Sequence, residues 1–202
     1  MLGLPKTTEL NKQLPKKSIY SKFQMNSVEK EKIDRDISRI TIVNEVSPSK
    51  ISLASGKDIK SIFVMSVLLK RKNFSEQTIV TLSKLIPQNL IMVLQYESEA
   101  KVAVYHTKLL QTEWRTLNKF SLSLEGLDFD KVWENIIIQI GDLELEEGNS
   151  IEDQIRKDDQ KAKIKKEIER LEKQARTEKQ PKKKYDLVKK VQKLSEDIWK
   201  IE

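Results

Sequence analysis

Apolar residues change their spacing along this chain, and the changes predict its elements. Over the first forty residues, Leu10, Leu14, Ile19, Tyr20 and Phe23 recur at helical intervals broken by Pro15. Asn26 followed three residues later by Glu29 has the form of a helix start, the Asn capping free amides and the Glu favourable in the first turn. Val28, Ile33 and Ile37 supply that helix with a buried stripe. The spacing then shortens to that of strands. Ile40–Val46 is rich in β-branched residues and stops at Ser47-Pro48-Ser49. Ile51–Ala54 is expected as a short second strand, closed by a turn at Ser55–Asp58. The long apolar run from Ile59 to Leu69, continuous at Ile62-Phe63-Val64-Met65-Ser66-Val67-Leu68-Leu69, predicts a central strand covered on both faces.

Helical spacing returns after Ser75, a capping residue with Phe74 placed to staple onto Ile79; Leu82, Leu85 and Ile86 continue the face and Pro87 ends it. Leu90–Tyr96 and Lys101–Thr107 read as a hairpin around Glu97–Ala100, and the apolar positions from Trp114 to Leu124 read as further β structure. A helix capped by Asp128 or Asp130 follows, lined by Val132, Trp133, Ile136, Ile137 and Ile140, with Gly141 expected at its left-handed end. Residues 142–150 are acidic and turn-rich, and the domain boundary is expected there. Beyond it Ile164, Ile168, Leu171 and Ala175 form a narrow stripe at steps of four, three and four. Gln180-Pro181 interrupts the stripe, and Leu187, Val191, Leu194, Ile198 and Ile201 resume it. Two helices folding into an antiparallel hairpin, or pairing between chains, would cover it.

The fold class that follows is α+β: a mixed, mainly antiparallel sheet flanked by helices, then a C-terminal helical hairpin or coiled coil. The expected divisions are N-terminal helices over residues 1–38, a core domain over 39–141, an acidic linker over 142–150 and a helical arm over 151–202.

Composition narrows the chemistry. The 202 residues contain no cysteine and a single histidine, His106, so thiolate metal sites, cysteine nucleophiles and multi-histidine centres have no residues to build them. No apolar stretch reaches the length of a membrane span, and the first residues lack the apolar segment of a signal peptide; a cytoplasmic protein with no membrane association is expected. The net charge of +7 is uneven: +4 over residues 1–40, −2 over 41–150 and +5 over 151–202. Basic ends suit phosphate backbones or acidic protein surfaces.

Two cationic clusters are candidate contacts for nucleic acid or phosphate. Lys70, Arg71 and Lys72 close the central strand just before a helix start, a position where phosphates bind. Lys182, Lys183 and Lys184 lie at the tip of the expected hairpin. Solvated turns would look the same. The stripe residues Ile164, Ile168, Leu171, Leu187, Val191, Leu194 and Ile198 are the candidate partner or coiled-coil interface. A metal-dependent nuclease would need carboxylates converging on an ion beside a lysine. Glu45 and Asp58 lie near suitable strands, but Val67-Leu68-Leu69-Lys70 offers a lysine without an acid. No phosphate-cradling glycine loop occurs, and His106, in an alternating strand, reads as structural rather than as a catalytic base. No catalytic residue, metal ligand or cofactor is assigned.

Several segments carry a resemblance: Leu4-Pro5-Lys6-Thr7, Asp36-Ile37-Ser38-Arg39-Ile40 leading into Ile42-Val43-Asn44-Glu45, and Leu85-Ile86-Pro87-Gln88. Val132-Trp133-Glu134-Asn135 and Glu172-Lys173-Gln174-Ala175-Arg176 add to it. Together they resemble a bacterial family known as a domain of unknown function, number four-three-nine-one. What the resemblance implies is context: such genes commonly accompany superfamily-two helicases and type III restriction-type DNA methyltransferases in defence islands. The expectation is a non-catalytic accessory subunit of a DNA-processing or phage-defence assembly that docks a helicase or methyltransferase. A cryptic metal-dependent nuclease and a stand-alone DNA-binding protein are the alternatives; DNA contact and homo-oligomerisation through the C-terminal helices stay open.

Overall fold

The computed structural model describes residues 2–146 and 148–200. The chain divides into two compact units, one ending at Leu143 and the other beginning at Glu144.

In the first unit a short 3-10 turn at Lys6–Thr8 leads into strand β1 (Glu9–Gln13), helices α1 (Lys16–Lys22) and α2 (Ser27–Asp36), and the long strand β2 (Ile37–Val46). A loop crosses to β3 (Ile62–Leu69), then come α3 (Glu76–Leu85) and the hairpin of β4 (Asn89–Tyr96) and β5 (Glu99–Tyr105). Two short strands, β6 (Leu109–Gln111) and β7 (Arg115–Thr116), precede α4 (Phe129–Gly141). The strands form a mixed sheet in the order β1-β2-β3-β4-β5-β6, with β7 also pairing β5. Every pairing is antiparallel except β3 with β4, the pair joined by the α3 crossover.

Alternation along the central strands divides the core between two faces. Met65, Val67 and Leu69 of β3 join Met92 and Leu94 of β4 under Ile19, Ile33, Ile79 and Leu82 of the three early helices. Val64, Ile91, Val93, Val102 and Val104 point the other way and are also fully buried. That second face belongs to α4, whose Phe129, Val132, Ile136 and Ile137 are at most 1% exposed. Each such side chain contributes about 1.5–3 kcal/mol over an exposed one, and this is why the β3 run tolerates no charge.

Local chemistry sets the element ends. Asn26 and Glu29 form a complete capping box at the start of α2, Asn26 Oδ1 accepting from the Glu29 amide at 2.9 Å and Glu29 Oε2 from the Asn26 amide at 3.0 Å. Asp128, not Asp130, caps α4 through the Lys131 amide. Gly141 is the last helical residue and Asp142 takes the left-handed conformation, with φ 49°. Gly141 serves packing instead: an added Cβ would meet Leu143 and Leu110 at 3.0 and 3.1 Å.

Three further expectations are corrected. Leu10 lies in strand β1, a fully exposed edge strand broken by a register shift, where Asn11 adopts φ 51°. Its helical spacing from Leu14 was coincidental, since Pro15 starts a new element. Ile51–Ala54 is loop, tied down by a bridge between Ala54 and Asp128. The segment after Trp114 gives only β7 and a 3-10 turn at Leu117–Lys119, after which the chain is irregular.

The second unit is a helical hairpin. Ser150 caps α5 (Ile151–Thr177) through the Asp153 amide, a short turn follows, and Pro181 occupies the first position of α6 (Pro181–Trp199). The two helices pack against each other within one chain. Leu171 and Ala175 are buried and Ile164, Ile168, Leu187, Val191, Leu194 and Ile198 are half-buried, as a narrow stripe shared by two helices requires. Ile201, expected to extend it, lies outside the described residues, as does Glu147 of the acidic segment. Glu146 is tied to the start of α5 by Lys157, which draws its carboxyl below the usual range against some desolvation, and Gln154 accepts from the Glu146 amide.

Candidate functional site

The cluster Lys70-Arg71-Lys72 follows the last residue of β3, beside the start of α3. The structure engages each of its cations locally. Lys70 Nζ donates to the Asp34 carbonyl at 2.6 Å. Lys72 pairs with Glu99 and lies 5.4 Å from the ring centre of Trp114, which Lys101 approaches at 5.6 Å. Phe74 meets the same indole edge-on at 6.3 Å.

Arg71 is held most firmly. Its guanidinium donates through Nε, at 2.9 Å, and Nη2 to one oxygen of Asp36. The second oxygen accepts from the Ser75 amide at 3.1 Å and the Thr78 hydroxyl at 3.0 Å. Asp36 is fully buried. Burial works against its ionisation, but the Ser75 amide, Arg71 and Thr78 prevail and hold its carboxyl below the usual range. The Ser75 hydroxyl makes no cap, so a carboxylate from the end of α2 occupies the place a capping residue or a phosphate would take at α3.

The loop before β3 repeats the device. Asp130 accepts from three successive backbone amides, those of Lys57 at 2.6 Å, Asp58 at 3.1 Å and Ile59 at 2.7 Å, and these lower its carboxyl against desolvation, the Ile59 bond foremost. Successive amides converging in this way form an anion nest. Gly56 makes the approach possible, since a Cβ there would overlap the Asp130 carboxylate. Neither Asp36 nor Asp130 stood out in the sequence as an anchor. The only available signal was an acid bordering an apolar run.

The residues weighed for a nuclease are dispersed. Glu45 lies opposite Phe63 at the start of β3 and pairs with Lys50 at 2.9 Å. Lys70 lies beyond the other end of that strand, seven residues on, or about 23 Å at the rise of an extended chain. Asp58 lends its amide to Asp130. Among the described residues no group of three or more acids or histidines is arranged to hold a metal ion. His106 stands one residue past β5, its amide bonded to the Lys108 carbonyl at 3.0 Å.

Lys182, Lys183 and Lys184 occupy the first turn of α6, all exposed, in a turn with no acidic residue and no side-chain cap. The positive end of the helix dipole is thus reinforced rather than offset, a disposition that favours an external anion. Lys183 shares an open cleft of about 700 Å³ at the hairpin turn with Lys179 and Lys190 and with the acids Glu178 and Asp186.

A family profile matches residues 2–198. The chain belongs to the family described as Domain of unknown function (DUF4391). No curated protein and no solved structure matches it. The match spans both units, so the DUF4391 chain joins the sheet domain and the arm in one family unit. Among the described residues of this DUF4391 protein no helix is long and apolar enough to cross a membrane.

Proposed function

We propose that this DUF4391 protein is a non-catalytic accessory subunit that docks a helicase or DNA methyltransferase in a cytoplasmic DNA-processing or phage-defence assembly. The observation that carries the reading is the state of α6. Its 19 residues include none that is fully buried, yet they contain Leu187, Val191, Leu194 and Ile198 on one side and Tyr185, Val188 and Trp199 exposed. A helix so partnered lacks cover for its apolar surface, and a protein surface would provide it. Co-purification of the full-length protein with a helicase or methyltransferase encoded beside it tests the reading. A stable complex at micromolar concentration is expected, and a monomer that ignores both partners would refute it.

The uncompensated lysines at the start of α6 favour a second reading, direct DNA binding by the arm. In that case affinity for duplex DNA falls steeply with salt and drops when Lys182, Lys183 and Lys184 are replaced by Ala together. Binding indifferent to salt would dispose of it.

A further inference from the structure

The distribution of charge around α6 says more than its exposure. The helix from Pro181 to Trp199 holds ten uncharged residues, and every one falls in one of two lengthwise stripes. The first, Leu187, Val191, Leu194 and Ile198, is the half-buried seam of the hairpin with α5. The second is Pro181, Tyr185, Val188, Gln192, Ser195 and Trp199, stepping by four, three, four, three and four. At about 100° per residue it lies roughly 100° around the helix from the first. It contains no charge along about 27 Å of helix, in an element where every position outside the two stripes is Lys, Asp or Glu. Five of its six residues are exposed, Trp199 by 75% and Tyr185 by 67%. A helix with one neighbour needs one narrow seam; two adjoining seams are the pattern of a helix with two neighbours.

The rim selects the second neighbour. Lys182, Lys184, Lys189 and Lys193 flank the second stripe, against Glu196 as the nearest acid. A second copy of α6 laid on it would oppose one lysine rim to another. Nucleic acid would satisfy the lysines but leave Val188 and the stripe's steady spacing without purpose. We infer that the second stripe of α6 is a docking seam for an acidic amphipathic helix of a different protein, which completes a three-helix packing with α5 and α6. The inference rests on the docking reading above and specifies the chemistry of the partner segment.

The test places a photo-crosslinking amino acid at position 188 of the full-length protein in its native host and sequences the cross-linked product. An acidic segment with apolar residues at helical spacing, from another protein, is the expected adduct. The Tyr185→Ser/Val188→Ser/Trp199→Ser variant should bind the captured protein at least tenfold more weakly while keeping wild-type helicity and melting temperature, and Tyr185→Phe should bind normally. Adducts with nucleic acid or a second copy of the chain, or none at all, would overturn the inference. So would a captured protein that binds the triple variant as tightly as wild type. The two readings fail separately: if helicase or methyltransferase co-purification survives in the triple variant, docking stands and this seam falls. If those proteins never co-purify but an acidic helix from elsewhere is captured, the seam stands and the proposed partner class falls.

Discussion

Replacing Asp36 by Ala should destabilise the sheet domain more than any other single polar change in it. The substitution removes the acceptor for Arg71, the Ser75 amide and the Thr78 hydroxyl at once. Arg71 is 44% exposed and can turn to water, so little of the loss lies there. Thr78 is 2% exposed and cannot, and an unsatisfied buried hydroxyl costs about 1–3 kcal/mol. The lost cap at α3 adds about 1 kcal/mol. The sum is about 3 kcal/mol, a large share of the 5–15 kcal/mol that typically holds a domain together. For a unit of this size that is a fall of about 10 °C in melting temperature. Asp36→Asn keeps an acceptor and should lose about half as much. Thr78→Val in the Asp36→Ala background should cost less than in wild type, because its hydroxyl already lacks a partner. The pH dependence has a definite sign. The folded-state carboxyl lies below its unfolded value, so its contribution is complete above the ordinary carboxylate range and is lost as pH falls through the folded value. The gap between wild type and Asp36→Ala should therefore narrow in acid. Urea denaturation followed by tryptophan fluorescence at pH 7 and pH 3 measures both effects. A difference below about 0.5 kcal/mol at pH 7, the size of an ordinary surface change, would refute the clasp.

Gly56→Ala should destabilise the same domain by about 1–3 kcal/mol, because its Cβ would displace Asp130 and free the Lys57–Ile59 amides; calorimetry reads the shift, and faster exchange of those amides locates it. Leu171→Ala, at a site 5% exposed, should cost the hairpin about 2–3 kcal/mol and make α6 more sensitive to protease, and unchanged cleavage would argue against its place in the seam. Tyr20 should titrate well above an ordinary phenol, because burial and then its bond to Asp34 disfavour the phenolate. A raised folded value means a contribution complete below the unfolded value near pH 10 and lost as pH rises through the folded one, which ultraviolet difference titration of wild type against Tyr20→Phe measures.

The architecture was legible where one periodicity ran long enough to exclude the other. The β3 run, the α4 stripe and the two arm helices all declared themselves, and the Asn26 box was readable from two residues. Short elements were not legible. Strand β1 owes its form to pairing with β2, a contact 28 residues or more away in sequence, so its own residues carry little of the information. The candidate clusters were legible as composition, while their engagement was not. That Lys70, Arg71 and Lys72 would each be held by a local partner depends on Asp34, Asp36 and Glu99 arriving from other elements. Which of Asp128 and Asp130 caps α4 was settled by a tertiary contact, since Asp130 reaches a loop more than 70 residues earlier.

The broken edge at β1 bears on how these molecules gather. A flat, continuous border would recruit strands from neighbouring chains and lead to fibres as concentration rises. Here the border is five residues long, kinked at Asn11 and carries Lys12, so the backbone groups that could template another ribbon are out of line. Crowding many copies together would therefore not join the sheet domains through this border.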